Sequence, residues 1–162
     1  MPGPTHPKAR QYAKLFRGVK RFEELEGKIE ALPTPNERGA AFEVFAEAYL
    51  ATTRKTQAKS VWSDTSAPIK LAKKFRLPFP EKGADGLFEN VSGEYHAYQV
   101  KFRTKRPALT WEELSTFVGI TDHLDHRLLI TNCNKIAKEL YDRKGFYSVR
   151  GNDLDRLQHA DF

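Results

Sequence analysis

Residues 81–103 restrict the fold more tightly than any other stretch of the chain. They run Glu81-Lys-Gly-Ala-Asp85-Gly-Leu-Phe, then Glu89-Asn-Val-Ser-Gly93-Glu, then Tyr95-His-Ala-Tyr-Gln99-Val-Lys101-Phe-Arg103. Asn90, Ser92 and Gly93 are turn formers, and the flanks are rich in aromatic and β-branched residues. This predicts two short strands in a β-hairpin. Side chains alternate along a strand. His96, Tyr98, Val100 and Phe102 therefore share an apolar face suited to a core. Ala97, Gln99 and Lys101 share the other, where an amide and an ammonium stand two residues apart. The hairpin also carries Asp85 toward Gln99–Lys101. An acid, an amide oxygen and a lysine that converge could hold a hard divalent cation such as Mg²⁺ and orient a water or a phosphate. The plain alternative is a lysine solvated on a half-exposed strand.

The 162 residues suffice for one domain with a sizeable core. No apolar run approaches the ~20 residues that span a bilayer. The opening Met-Pro-Gly-Pro-Thr-His-Pro lacks a hydrophobic signal region, so a cytoplasmic protein with no membrane partner is expected. The single Cys133 excludes an internal disulfide and a multi-cysteine zinc cluster. The net charge of +6, from 27 basic and 21 acidic residues, suits a polyanionic partner such as DNA.

Residues 1–7 read as a disordered arm. Tyr12, Leu15, Phe16, Val19, Phe22, Leu25, Ile29 and Leu32 then follow helical spacing, which predicts one amphipathic helix stopped by Pro33 and Pro35. Residues 1–35 are thus an arm and helix preceding a domain over 36–162. Asn36 reads as the N-cap of a second helix, in which Phe42, Phe45, Ala46, Tyr49 and Leu50 form the buried stripe. Glu43 borders that stripe and could face a cleft, while Glu47 reads as solvated. Residues 52–59 read as a basic loop and 60–63 as a short strand. Pro68 to Leu77 reads as a basic helix bearing Lys70, Lys73, Lys74 and Arg76. Thr104-Lys105-Arg106-Pro107 is a basic turn that concentrates positive charge with Lys101 and Arg103. Thr110 and Glu113 have capping-box spacing at a helix start. Asp122-His-Leu-Asp-His126 lacks ligand-type neighbours at zinc spacing and reads as a helix end and loop. Residues 127–131 and 146–150 read as strands, with a helix over 135–144 between them; this crossover predicts parallel neighbours. A last helix starts near Asn152, and Cys133 reads as a packing residue.

This order resembles the α/β restriction-endonuclease-like core, the PD-(D/E)XK nuclease superfamily: a mixed central β-sheet flanked by helices, here with an extra N-terminal helix. The chain is more closely similar to the Mrr-like nuclease domain at the N-terminus of large helicases and single-chain restriction enzymes. The similar pieces are Arg38-Gly-Ala-Ala-Phe-Glu43, Val61-Trp, Lys82-Gly-Ala-Asp85-Gly, Tyr98-Gln-Val-Lys101-Phe, Thr110-Trp-Glu-Glu-Leu-Ser-Thr-Phe117 and Leu129-Ile-Thr-Asn132. They fall within roughly residues 37–157; the first 35 residues have no counterpart. Gln99 stands where the superfamily motif has its second carboxylate, which removes a negative charge from a metal site. Glu81 stands where helicase-linked relatives often carry Asp.

The resemblance implies a divalent-metal-dependent DNA endonuclease that hydrolyses phosphodiester bonds with Mg²⁺, for which Mn²⁺ substitutes. Asp85, Gln99, the Val100 carbonyl and Glu43 would hold the metal, and Lys101 would position the attacking water. Lys70, Lys73, Lys74, Arg103, Lys105 and Arg106 would grip the DNA backbone. No GxxxxGK[ST] phosphate loop is present; the chain reads as a stand-alone nuclease or as an excised domain, whose partner would then be a linked or associated helicase. The end at Asp161-Phe162, just after a helix start, suggests an excised domain. Two cuts in a duplex would need a homodimer or two events. The competing expectations are a non-catalytic DNA-binding module of this fold and a regulatory domain for an attached motor.

Overall fold

The computed structural model describes residues 6–77 and 84–157. Glu81, Lys82 and the terminal Asp161-Phe162 lie outside the described residues, so the expectations placed on them stay with the sequence.

The hairpin is the centre of a five-stranded sheet in which spatial order equals chain order. β1 (Ala58–Ser63), β2 (Gly86–Asn90) and β3 (Tyr95–Lys101) pair antiparallel, and β4 (Arg127–Thr131) and β5 (Phe146–Val149) add on parallel. The β2–β3 turn forms because the Asn90 side-chain oxygen accepts from the backbone N–H groups of Ser92 and Glu94, and Gly93 takes φ +83°. The β4–β5 parallel pairing agrees with the expected crossover.

Helices cover both sheet faces. Val61, Phe88, Tyr98, Val100, Leu128, Ile130 and Val149 belong to one core cluster with α2 (Phe22–Glu30) and α3 (Pro35–Thr52). On the other face Leu87 and Ala97 meet Phe117 of α5 (Trp111–Thr121), and Leu129 meets Leu114 and Val118 of the same helix. The apolar face of β3 is thus a core face as its alternation predicts, yet Gln99 on the other face is buried as well.

Several elements depart from the sequence reading. The single N-terminal helix is broken into α1 (Ala9–Tyr12), a 3-10 turn (Ala13–Phe16) and α2. Gly18 breaks it at φ +72°, and Lys28 Nζ donates to the freed Arg17 carbonyl at 2.8 Å. These pieces share the core of α3, since Tyr12, Val19, Phe22, Leu25 and Ile29 are all buried there. The N-cap of α3 is Thr34 rather than Asn36: its Oγ1 accepts from the Glu37 N–H at 3.2 Å, and Pro35 takes the first helical position. The expected 135–144 helix is reduced to a 3-10 turn, Lys138–Leu140. The Lys135 carbonyl accepts from the Leu109 N–H, which ties this segment to the stretch before α5. Glu47 is not solvated but 1% exposed, inside the α3–sheet layer. The basic helix is α4 (Ile69–Lys74), and the chain's last described helix is α6 (Gly151–Leu154). The capping box at Thr110 forms as the spacing predicts. No helix among the described residues is long and apolar enough to cross a membrane.

Candidate active site

Asp85 immediately precedes β2 and is pinned from both sides. Its N–H donates to the Tyr98 carbonyl (2.9 Å), and its carbonyl accepts from the Asp64 N–H (2.8 Å) just beyond β1. Gly86 follows because nothing larger fits: a Cβ there would overlap the Tyr98 ring and the Trp62 carbonyl, to which the Tyr98 hydroxyl donates at 3.0 Å. The main chain therefore fixes where the Asp85 side chain emerges. Its Oδ2 accepts from the Val100 N–H at 2.6 Å and from Gln99 Nε2 at 3.3 Å. The hairpin pairing alone brings these three residues together.

Glu43 enters from α3, and Asp64 from the end of β1. Burial pushes the Asp85 carboxyl from 3.8 up to about 7, with the negative charges of Glu43 and Asp64 adding to it; the Val100 N–H and the Lys101 ammonium act in the opposite sense. The Asp64 carboxyl is raised too, mainly by burial and in part by Glu43. The chain thus gathers three acids with one ammonium near them. Their oxygens are spread more loosely than a finished coordination shell. Asp85, Gln99, Val100, Lys101 and Glu43 all line one cavity of about 520 Å³, together with Arg38, Arg103 and the start of α3.

Two residues at this site are absent from the sequence reading. Asp64 follows the quoted Val61-Trp by two positions, and an acid at the end of a strand neighbouring Asp85 was the available signal. His6 belongs to the arm read as disordered. Instead its Nε2 lies 3.0 Å from Glu43 Oε2, with the imidazole side chain 11% exposed.

The basic residues separate into distinct groups. Arg103 lines the cavity and pairs with Glu113 at 3.0 Å. Lys105 is exposed on the adjoining turn. Arg106 is committed elsewhere: its guanidinium forms hydrogen-bonded ion pairs with Glu26 and Asp155 at 2.7–2.9 Å, tying the turn to α2 and α6. Four of its five N–H donors are engaged in this way, and its side chain is 18% exposed. Lys70, Lys73 and Lys74 are exposed on α4. Lys74 Nζ lies 5.9 Å from the centre of the Tyr95 ring, at the far end of β3 from Lys101.

The residues fit a hard cation. Glu43 raises the proton affinity of Asp85 and of Asp64, and a bound positive ion relieves that repulsion. The fit has one condition. The Gln99 amide now turns its nitrogen to Asp85, so its oxygen becomes a ligand only after the amide turns over.

No protein-family model matches the chain, and no curated protein matches its sequence. Among solved structures it is similar to an ATP-dependent Type ISP restriction-modification enzyme, LlaBIII, bound to DNA, with 21% identity and a TM-score of 0.62. The match covers 86% of this chain and 9% of that one, so the chain spans about a tenth of its neighbour's length. The likeness establishes the fold, which is restriction-endonuclease-like: a mixed sheet with helices on both faces.

Proposed function

We propose that the chain is a metal-dependent DNA endonuclease domain that hydrolyses phosphodiester bonds at the cavity around Asp85. The carrying observation is the Asp85 carboxyl, raised to about 7 among Glu43 and Asp64, with Lys101 beside it in an open cavity. Asp85, the Val100 carbonyl, Gln99 through its side-chain oxygen, and Glu43 would hold Mg²⁺ or Mn²⁺. When bound, that ion would supply Lewis-acid polarisation of the scissile phosphate and a lowered pKa for the attacking water. Lys101 orients that water and offsets charge building on the phosphate. Asp64 adds negative charge from the β1 side. Arg103 and Lys105 hold the strand near the cavity, and Lys70, Lys73 and Lys74 hold backbone phosphates farther along the duplex. The DNA named for the structural neighbour supports this choice of partner, and that neighbour's length supports a larger restriction-type or helicase-linked protein as the setting.

A second reading, DNA binding without chemistry, has its own observation: Gln99 replaces a carboxylate and already satisfies Asp85 with its amide. Plasmid cleavage separates the two. The nuclease reading expects nicking or linearisation with Mg²⁺ or Mn²⁺, lost in Asp85→Ala and in Lys101→Ala. Clean wild-type protein that binds DNA without cutting it would support the binding module.

A further inference from the structure

A different group of side chains lies at the opposite end of β3. Among the described residues, ligand atoms of Glu94, His96 and His126 all lie within 4.8 Å of one another. Glu94 ends the hairpin turn, His96 is the second residue of β3, and His126 immediately precedes β4. Parallel pairing of β3 with β4 sets Ala97 opposite Arg127, and so brings the two histidines side by side. Their rings stack with centroids 4.4 Å apart.

Hydrogen bonding fixes which His96 nitrogen is available. The Asn90 amide cannot turn over, because its oxygen accepts from two backbone N–H groups, those of Ser92 and Glu94. Its nitrogen therefore donates, to Glu94 Oε1 at 2.9 Å and toward His96 Nε2 at 3.4 Å. His96 Nε2 is then an acceptor. That assigns the ring proton to Nδ1, from which it donates to the Tyr147 hydroxyl at 2.8 Å. This is the neutral tautomer that ligates through Nε2, with its other nitrogen held by an outer partner as in protein metal centres. The imidazole is 8% exposed and packed on Phe88, so it is pre-aimed. Next to it the His126 Nε2–H donates to Glu94 Oε2 at 3.0 Å. A cation can take that proton's place.

We propose that Glu94, His96 and His126 form a second metal site, selective for a transition ion of the Zn²⁺ class. Two imidazoles and one carboxylate are the donor set that Zn²⁺ prefers and Mg²⁺ does not. Ligands at ~2.0–2.1 Å from one ion lie closer together than 4.8 Å. Glu94 and His126, with side chains 49% and 35% exposed, have the freedom to close that distance around the buried His96. The ion would clasp the hairpin turn to the entry of β4, beyond the length of β3 from Lys101. The site is thus structural with respect to the chemistry proposed at Asp85 and does not depend on it.

The test is a thermal-melting and Co²⁺-absorption series on the full chain, carried out in an Asp85→Asn background to silence the carboxylate site. Micromolar Zn²⁺ should raise the melting temperature by several degrees where millimolar Mg²⁺ does not. Co²⁺ should give visible ligand-field bands of tetrahedral intensity. Both responses should vanish in His126→Asn, at a part-buried position, and in Glu94→Gln, at an exposed one. Zn²⁺ stabilisation that persists in both variants would overturn the assignment, as would no Zn²⁺ response from the background protein. Circular dichroism of each variant before metal addition verifies that folding is intact.

Discussion

Replacing Asp85 by Asn should make the metal-free protein more stable at alkaline pH. The carboxyl is pushed from 3.8 up to about 7. Each tenfold in proton affinity is worth ~1.4 kcal/mol, so holding Asp85 ionised in the fold costs on the order of 4 kcal/mol relative to the unfolded chain. An amide removes that cost and still offers an oxygen to the Val100 N–H. The charge-assisted 2.6 Å bond from the Val100 N–H is already counted in that shift. The gain above pH 8 is therefore on the order of 4 kcal/mol, or ~8–16 °C in melting temperature for a chain of this size. The sign follows from linkage. A carboxyl with a raised folded pKa stabilises the fold fully below its unfolded value near 4, and that contribution is lost as pH rises through about 7. The gap between variant and wild type should therefore be small at pH 4, open between pH 4 and 7, and level off above. Thermal melts in EDTA across pH 4–9 measure it. A variant less stable than wild type at pH 8.5, or a gap of equal size at pH 4 and 8.5, would refute the reasoning. Added Mg²⁺ should then narrow the gap by stabilising wild type alone.

Other perturbations probe separate parts of the account. Gly86→Ala should cost ~2–3 kcal/mol in urea unfolding, since the new Cβ meets the Tyr98 ring and the Trp62 carbonyl. Arg106→Ala should lower stability by ~2–3 kcal/mol, somewhat less than the loss of a fully buried pair, because the side chain is 18% exposed; the salt dependence of DNA binding should not change. The double substitution Lys70→Ala, Lys73→Ala should do the reverse, leaving stability alone and reducing the salt slope of DNA binding by ~1.8. Thr34→Ala should cost ~1 kcal/mol by removing the α3 N-cap, while Asn36→Ala should be nearly neutral.

How much of this was legible depended on the range of the interactions involved. The hairpin, the Thr110 capping box and the meeting of Asp85 with Gln99 are local. Turn chemistry and strand alternation specify them within some twenty residues. The failures have long-range causes. The 135–144 stretch is tied at its start to Leu109, and nothing within 135–144 announces that contact. Arg106 looks like a free cation until α2 and α6 supply Glu26 and Asp155. Asp64 and His6 join the site only through the β1–β2 pairing and the docking of the arm on α3. His126 shows no ligand neighbours in its own stretch because the nearby Glu94 and His96 come from the hairpin turn and β3, through a parallel pairing that sequence spacing does not display.

The most direct test of the central claim compares wild type with Lys101→Met for single-turnover cleavage of a DNA duplex in Mg²⁺, with DNA affinity measured on the same preparations. Positioning of the attacking water by Lys101 predicts metal-dependent cleavage by wild type and a loss of at least ~10²-fold in the variant, with affinity kept within a few-fold. Equal cleavage by both proteins, or none by a wild type that binds DNA normally, would contradict it.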